Sequence, residues 1–187
     1  VQSKRMGQIV EDLLTLSRLE TQHHISDERV PMAALLATVR KEAEALSHGR
    51  HRITLQSTAE ADLLGSPKDL HSALSNLASN AVRYTPAGGS ITIRWERTPD
   101  GAVYSVSDTG FGISATHLSR LTERFYRVSS SRSRDSGGTG LGLSIVKHVL
   151  NLHQAQLRIE SAPGVGSTFS CHFGAARLLT PGSSDES

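Results

Sequence analysis

Two pairs of alternating segments, each joined by a turn of a few residues, constrain this chain more than any other feature. SITIRWER (90–97) and AVYSVSD (102–108) flank Thr-Pro-Asp-Gly, while AQLRIESA (155–162) and STFSCHF (167–173) flank Pro-Gly-Val-Gly. A period of two with so short a connection means an antiparallel hairpin, because parallel neighbours need a crossover of roughly a dozen residues. HRITLQS (51–57) alternates as a further strand, and residues 61–64 read as a short neighbour of it.

Helical patterns stand between these strands. Residues 4–20 place Met6, Ile9, Val10, Leu13, Leu14 and Leu16 at three- and four-residue intervals, an amphipathic helix with a broad apolar stripe. Such a helix is marginal alone in water and wants partner helices. The polar stretch 21–29 reads as a linker or short strand, and a helix follows over 31–46 with Pro31 in its first turn. Ser66-Pro67-Lys68-Asp69 has the pattern of a capping box, opening a helix to Tyr84 that Pro86-Ala87-Gly88-Gly89 stops. Ser114 can cap a short helix through Leu121; residues 127–138 lack periodicity and read as a mobile loop; a last helix runs over 140–153. The end of the chain, from 178 on, reads as a disordered tail. Helices and hairpins alternate without a repeating βαβ unit. The expected class is therefore α+β, a two-layer sandwich with helices on one face of a mixed sheet.

Bulk properties narrow the function classes. The 187 residues suit one packed domain with something appended, and 37% hydrophobic content can fill its core. Lys and Arg number 20 against 18 Asp and Glu, for a net charge of +2, which argues against nucleic-acid binding by bulk electrostatics. The single cysteine, Cys171, excludes an internal disulfide and fits a reducing compartment; it reads as a strand residue rather than a nucleophile. No apolar run approaches the roughly 18–20 residues that span a bilayer. The nine histidines lack accompanying Cys or carboxylates at zinc spacing. Because Val1 stands in the middle of a helical pattern, the chain is expected to be a fragment.

Three polar segments carry the chemistry: SNLASNAVRYTP (75–86), DTGFGIS (108–114) and GGTGLGL (137–143). Asn76 and Asn80 lie four apart and share a helix face, with Arg83 three residues on. Amide oxygens are hard neutral ligands suited to Mg²⁺, and Arg83 suits a phosphate; the same pattern also describes a solvated polar face. Asp108 ends a strand, where a carboxylate can accept a hydrogen bond from an exocyclic amine such as adenine's, or simply serve a turn. Gly110 and Gly112 would let backbone approach a planar base. Gly137, Gly138, Gly140 and Gly142 open a helix whose free N–H groups favour an anion by about 0.3–2 kcal/mol. No strand precedes these glycines and no Gly-Lys-Ser/Thr follows, so neither a dinucleotide fingerprint nor a P-loop is present. Arg127, Arg132 and Arg134 are candidate phosphate contacts, or members of a solvated loop, and Phe125 reads as a packing anchor.

With these residues assembled, the chain resembles the ATP-binding catalytic domain of bacterial sensor histidine kinases, of the gyrase/Hsp90/histidine-kinase/MutL type. SNLASNAVRYTP is similar to the N box, DTGFGIS to the G1 box, ERFYR to the F box and GGTGLGL to the G2 box, and the match covers about 27–177. MGQIVEDLLTLSRLE resembles the end of the second helix of a dimerisation bundle. The stretch from His117 through Asn151 is similar, more narrowly, to phosphate-regulon sensor kinases. The resemblance implies bundle helix over 1–22, linker over 23–29, catalytic domain over 30–177 and tail over 178–187. It implies Asn80 on Mg²⁺, Asn76 close by, Arg83 at the phosphates, Tyr84 against the base and Asp108 on the adenine amine. Ile113 and Leu141 would line the pocket. Gly138, Thr139, Gly140 and Gly142 would form the phosphate end of a lid over about 127–139.

Two departures sharpen this. Hydrolytic relatives carry, four residues before the metal asparagine, a glutamate that serves as general base; here Asn76 stands there and cannot take a proton. Nor does any histidine have the family's phosphoacceptor context: His24 precedes Ile25 and His71 precedes Ser72. The resemblance therefore implies half of a kinase, transferring the γ-phosphoryl of Mg-ATP to a histidine upstream of Val1, for relay to a response regulator. The parent would be a homodimeric bacterial inner-membrane protein with this part on the cytoplasmic side, soluble as a fragment. An ATP-hydrolysing clamp and a degenerate docking module are the alternatives.

Overall fold

The computed structural model describes residues 2–21, 27–112 and 142–180. Helix α1 (Gln2–Thr21) leads to strand β1 (Glu28–Val30), helix α2 (Met32–Ser47), strands β2 (Arg52–Ser57) and β3 (Asp62–Gly65), and helix α3 (Pro67–Tyr84). Strands β4 (Ser90–Thr98) and β5 (Gly101–Asp108), helix α4 (Gly142–Leu152), strands β6 (Gln156–Ala162) and β7 (Gly166–Gly174), a 3₁₀ turn (Ala175–Arg177) and strand β8 (Leu178–Leu179) complete the order.

The main sheet has the order β2-β4-β5-β7-β6. Both expected hairpins form: Thr98 pairs with Gly101 across the first turn and Ala162 with Gly166 across the second. Strand β2 joins the edge parallel to β4, which makes the sheet mixed. The period of two shows directly in burial: Ile91, Ile93 and Trp95 of β4, Ala102, Tyr104 and Val106 of β5, and Phe169, Cys171 and Phe173 of β7 are all buried. Helices α2, α3 and α4 lie side by side on that one face. Each large side chain buried there contributes roughly 1.5–3 kcal/mol of transfer free energy. The Tyr104 hydroxyl donates to the Leu74 carbonyl at 2.9 Å, tying α3 to the middle of the sheet.

Three details differ from the sequence-based expectation. Residues 62–65 do not neighbour β2; they pair with β1 and β8 in a separate three-stranded sheet. The Asp62 carboxylate decides this, accepting from the Met32 N–H at 3.1 Å and from Arg29 at 3.2 Å. Leu178 and Leu179 extend that same sheet by pairing with Leu63 and Asp62, so the chain is still ordered where a tail was expected to begin. Residues 28 and 29, within the linker that the resemblance implied over 23–29, belong to β1, in keeping with the other reading of that stretch as a short strand.

Helix α1 packs against α4 and buries Leu16 and Leu19 in the common core, while Val10 and Leu14 stay exposed. Arg18 meets the buried Asp69 carboxylate of α3 at 2.5 Å. No helix among the described residues is long and apolar enough to cross a membrane.

Candidate functional site

Asn76, Asn80, Arg83 and Tyr84 form one half-buried stripe along α3, because Asn80 lies four residues after Asn76, and Arg83 and Tyr84 lie three and four after Asn80. The opposite face, with Leu70, Leu74, Leu77 and Ala81, is buried and fixes the rotation of the helix. Ser66 caps α3 by accepting from the Asp69 N–H at 3.4 Å, with Pro67 as first helical residue. Only half of the expected capping box forms, since the Asp69 carboxylate turns to Arg18.

The Asn76 amide nitrogen donates to the Ser72 carbonyl at 2.7 Å, which leaves its Oδ1 pointing away from the helix. That oxygen faces the start of α4: a Cβ on Gly142 would come within 2.9 Å of it. The half-buried Asn80 amide has no hydrogen-bond partner among the described residues. Two amide oxygens one turn apart, one turned outward and one uncommitted, suit a hard divalent cation that keeps most of its waters.

Asp108 closes β5 at the C-terminal end of α3. Its carboxylate accepts from the Gly110 N–H at 2.9 Å and from the Ser167 N–H. Burial lifts its pKa above the ordinary 3.8, against the lowering effect of those two donors. The turn after it is clamped on both sides. Phe111 N–H donates to the Tyr84 carbonyl at 3.4 Å, and Phe111 O accepts from Gly164 N–H at 2.7 Å. A Cβ on Gly110 would stand 2.3 Å from the Tyr84 carbonyl; Gly112 has φ +72° and a Cβ there would meet Ala162 O at 2.0 Å. Only glycine allows the turn to lie this close to both walls.

The structure thus brings Asn76, Asn80, Arg83, Tyr84, Asp108, Gly110, Gly112 and Gly142 into one region between α3, the β5 turn and the start of α4. Ile113, Arg127, Arg132, Arg134, Gly138, Thr139, Gly140 and Leu141, with the expected lid, lie outside the described residues. Sequence reasoning missed Ser167, whose backbone holds Asp108, and Thr85, which lies between the stripe and the turn. Neither has a local signal: one is a strand residue read only for alternation, the other a residue before a proline.

Three other reactive groups among the described residues serve the structure. Cys171 is fully buried in β7 and desolvation pushes its thiol far up, so it is no nucleophile. His71 pairs with Glu42, and His51 bridges Ser47 and Thr85. Among the described residues no group of three His, Cys, Asp or Glu is placed to hold a metal.

A profile of the histidine kinase-, DNA gyrase B-, and HSP90-like ATPases matches residues 65–177. The chain is 54% identical over 179 residues to the phosphate regulon sensor protein PhoR of Pseudomonas aeruginosa, covering 95% of this chain and 40% of that protein. Identity to PhoR of Haemophilus influenzae is 38% over 169 residues, again with 40% of that protein covered. The chain therefore spans about two fifths of the length of these curated relatives. Among solved structures, full-length ShkA in complex with AMPPNP superposes with a TM-score of 0.78 at 25% identity, covering 92% of this chain and 36% of that one. The mycobacterial sensor histidine kinase MprB superposes with a TM-score of 0.69 at 25% identity, over 79% of this chain and 97% of that one.

Proposed function

The chain belongs to the histidine kinase-, DNA gyrase B-, and HSP90-like ATPase family, and from that premise we propose that it is the ATP-binding catalytic part of a two-component sensor histidine kinase of the phosphate-regulon kind. The observation that carries this reading is the α3 stripe set against the Asp108 turn. Asp108 offers an acceptor for the adenine amine, Tyr84 a ring at the base, and Asn80 and Asn76 the oxygens for Mg²⁺. Bound there, magnesium would neutralise charge on the phosphates. Arg83 stands in the last turn of α3, next along the stripe toward the same phosphates.

Asn76 decides between transfer and hydrolysis. Its amide is committed to Ser72 and holds no proton-accepting group, so no residue at that place activates water. Phosphoryl transfer asks little covalent help from a protein; it is driven by positioning and charge neutralisation. The acceptor is a histidine on helices of the parent kinase, since none of the nine histidines here is followed by an acidic residue. A homodimeric parent at the cytoplasmic side of a membrane, relaying the phosphoryl to a response regulator, completes the reading.

Labelled ATP tests it. The chain alone should bind Mg-ATP and remain unlabelled, while adding the parent kinase's phosphoacceptor helix pair in trans should give Mg-ATP-dependent, acid-labile label on those helices. Asn80→Ala should abolish both binding and transfer. Steady ATP hydrolysis by the purified chain, or label on the chain itself, would overturn the proposal.

A further inference from the structure

Strand β6 is an edge of the main sheet: it pairs with β7 on one side and with no other strand among the described residues. The outer row of its backbone N–H and C=O groups is a template for one more strand. Its residues Gln156–Ala162 run without proline or glycine, and all of them are in register with β7, from Gln156 opposite His172 to Ala162 opposite Gly166. Exposure alternates strictly. Gln156, Arg158, Glu160 and Ala162 are exposed on the open face of the sheet, while Leu157, Ile159 and Ser161 are half-buried on the face that the helices cover.

A charge on an edge strand ordinarily deters pairing, because a second copy brings a like charge against it. Arg158 and Glu160 act more selectively: they are of opposite sign and flank Ile159, the middle residue of the strand. Two copies of β6 laid antiparallel and centred on Ile159 set Arg158 of each opposite Glu160 of the other. The same register sets Ile159 opposite Ile159, Leu157 opposite Ser161 and Gln156 opposite Ala162, so that the whole strand is used. Centring on Arg158 instead puts two arginines face to face, and centring on Glu160 two glutamates, both unfavourable. Neither residue forms a salt bridge among the described residues, so both are available to a partner. Leu157 and Ile159 lie at the margin of the hydrophobic core, and pairing would take more of their apolar surface from water. The opposite edge has no such pattern: β2 carries one charge, Arg52, and no acidic residue to meet it in a second copy.

We propose that β6 is a homotypic interaction surface, pairing antiparallel with β6 of a second copy of this chain about Ile159 and joining two five-stranded sheets into one continuous sheet. One short strand a side makes a small interface, so free chains associate weakly, and two copies tethered in one assembly associate far more readily. This pairing needs no nucleotide.

Sedimentation equilibrium of the whole chain, at concentrations up to about 1 mM, tests it. Every chain compared carries Val10→Glu and Leu14→Glu, which remove the exposed apolar face of α1 as a rival surface. That chain should show a monomer–dimer equilibrium. Arg158→Glu and Glu160→Arg should each weaken self-association about tenfold, because two attractive cross-strand pairs become repulsive. Both side chains are exposed, so each variant should keep the Tm of the unreversed chain. The double variant, Arg158→Glu with Glu160→Arg, again sets opposite charges together and should dimerise like the unreversed chain. An equal mixture of the two single variants should form a heterodimer more tightly than either pairs with itself. A chain that stays monomeric throughout, a dimer indifferent to both reversals, or a double variant no better than the single ones overturns the proposal.

Discussion

His153 shows what one side chain can join. It is buried at the end of α4, its Nδ1 donates to the Val149 carbonyl at 2.7 Å, and its Nε2 accepts from the Ser66 N–H at 3.1 Å. It therefore connects the end of α4 to the capping residue of α3, and Gly65 makes room: a Cβ there would stand 2.3 Å from the imidazole. Burial, aided by the charge of Arg177, holds His153 below its ordinary 6.5. A folded-state pKa below the unfolded one means that the unfolded chain takes up the proton first. Stability is thus fully present above pH 6.5 and is lost as pH falls below it. Denaturant unfolding at pH 8 and pH 5 should show this loss. His153→Leu should cost about 1–3 kcal/mol at pH 8 by leaving the Ser66 N–H unpaired, and should flatten the pH dependence.

Among the elements, α3 carries the site and α1 is fastened to it. The Asp69 carboxylate is almost wholly buried while the Arg18 side chain is 42% exposed, so the pair lies between a surface bridge and a buried one. Removing Arg18 strands a buried charge near the N-terminus of α3, whose dipole softens the effect. Discounted for solvent on the arginine side, Arg18→Ala should destabilise by about 1–2 kcal/mol. A double-mutant cycle with Asp69→Asn should recover most of that as coupling energy; additive effects would mean that the pair contributes nothing. Helix α1 was legible from its stripe of Ile, Val and Leu. The stripe does not say which part meets this domain: Leu16 and Leu19 do, while Val10 and Leu14 remain exposed. Strand β3 is the converse case, legible as a strand but not in its partner, because alternation fixes faces and leaves pairing to contacts such as those of Asp62.

For the whole molecule, the two hairpins and four helices share a single hydrophobic cluster that runs from Leu16 to Phe173. The site lies at its edge, where α3 ends against the β5 turn, so ligand binding and folding are linked. Mg-ATP at about a hundred times its Kd should add about 2.7 kcal/mol and raise Tm by roughly 5–10 °C in a thermal shift assay. Asp108→Asn should lose that rise. The sequence by itself determined the α+β class, both hairpins, the helix from Pro67 to Tyr84 and the stripe of Asn76, Asn80, Arg83 and Tyr84, since period, caps and breakers are local properties of the chain. Tertiary structure alone decided that Ser167 donates to Asp108, that His51 pins Thr85, and that Leu178 and Leu179 join a sheet. Each of these is a contact between segments distant along the chain, and spacing carries no information about which distant atoms packing will bring within 3 Å.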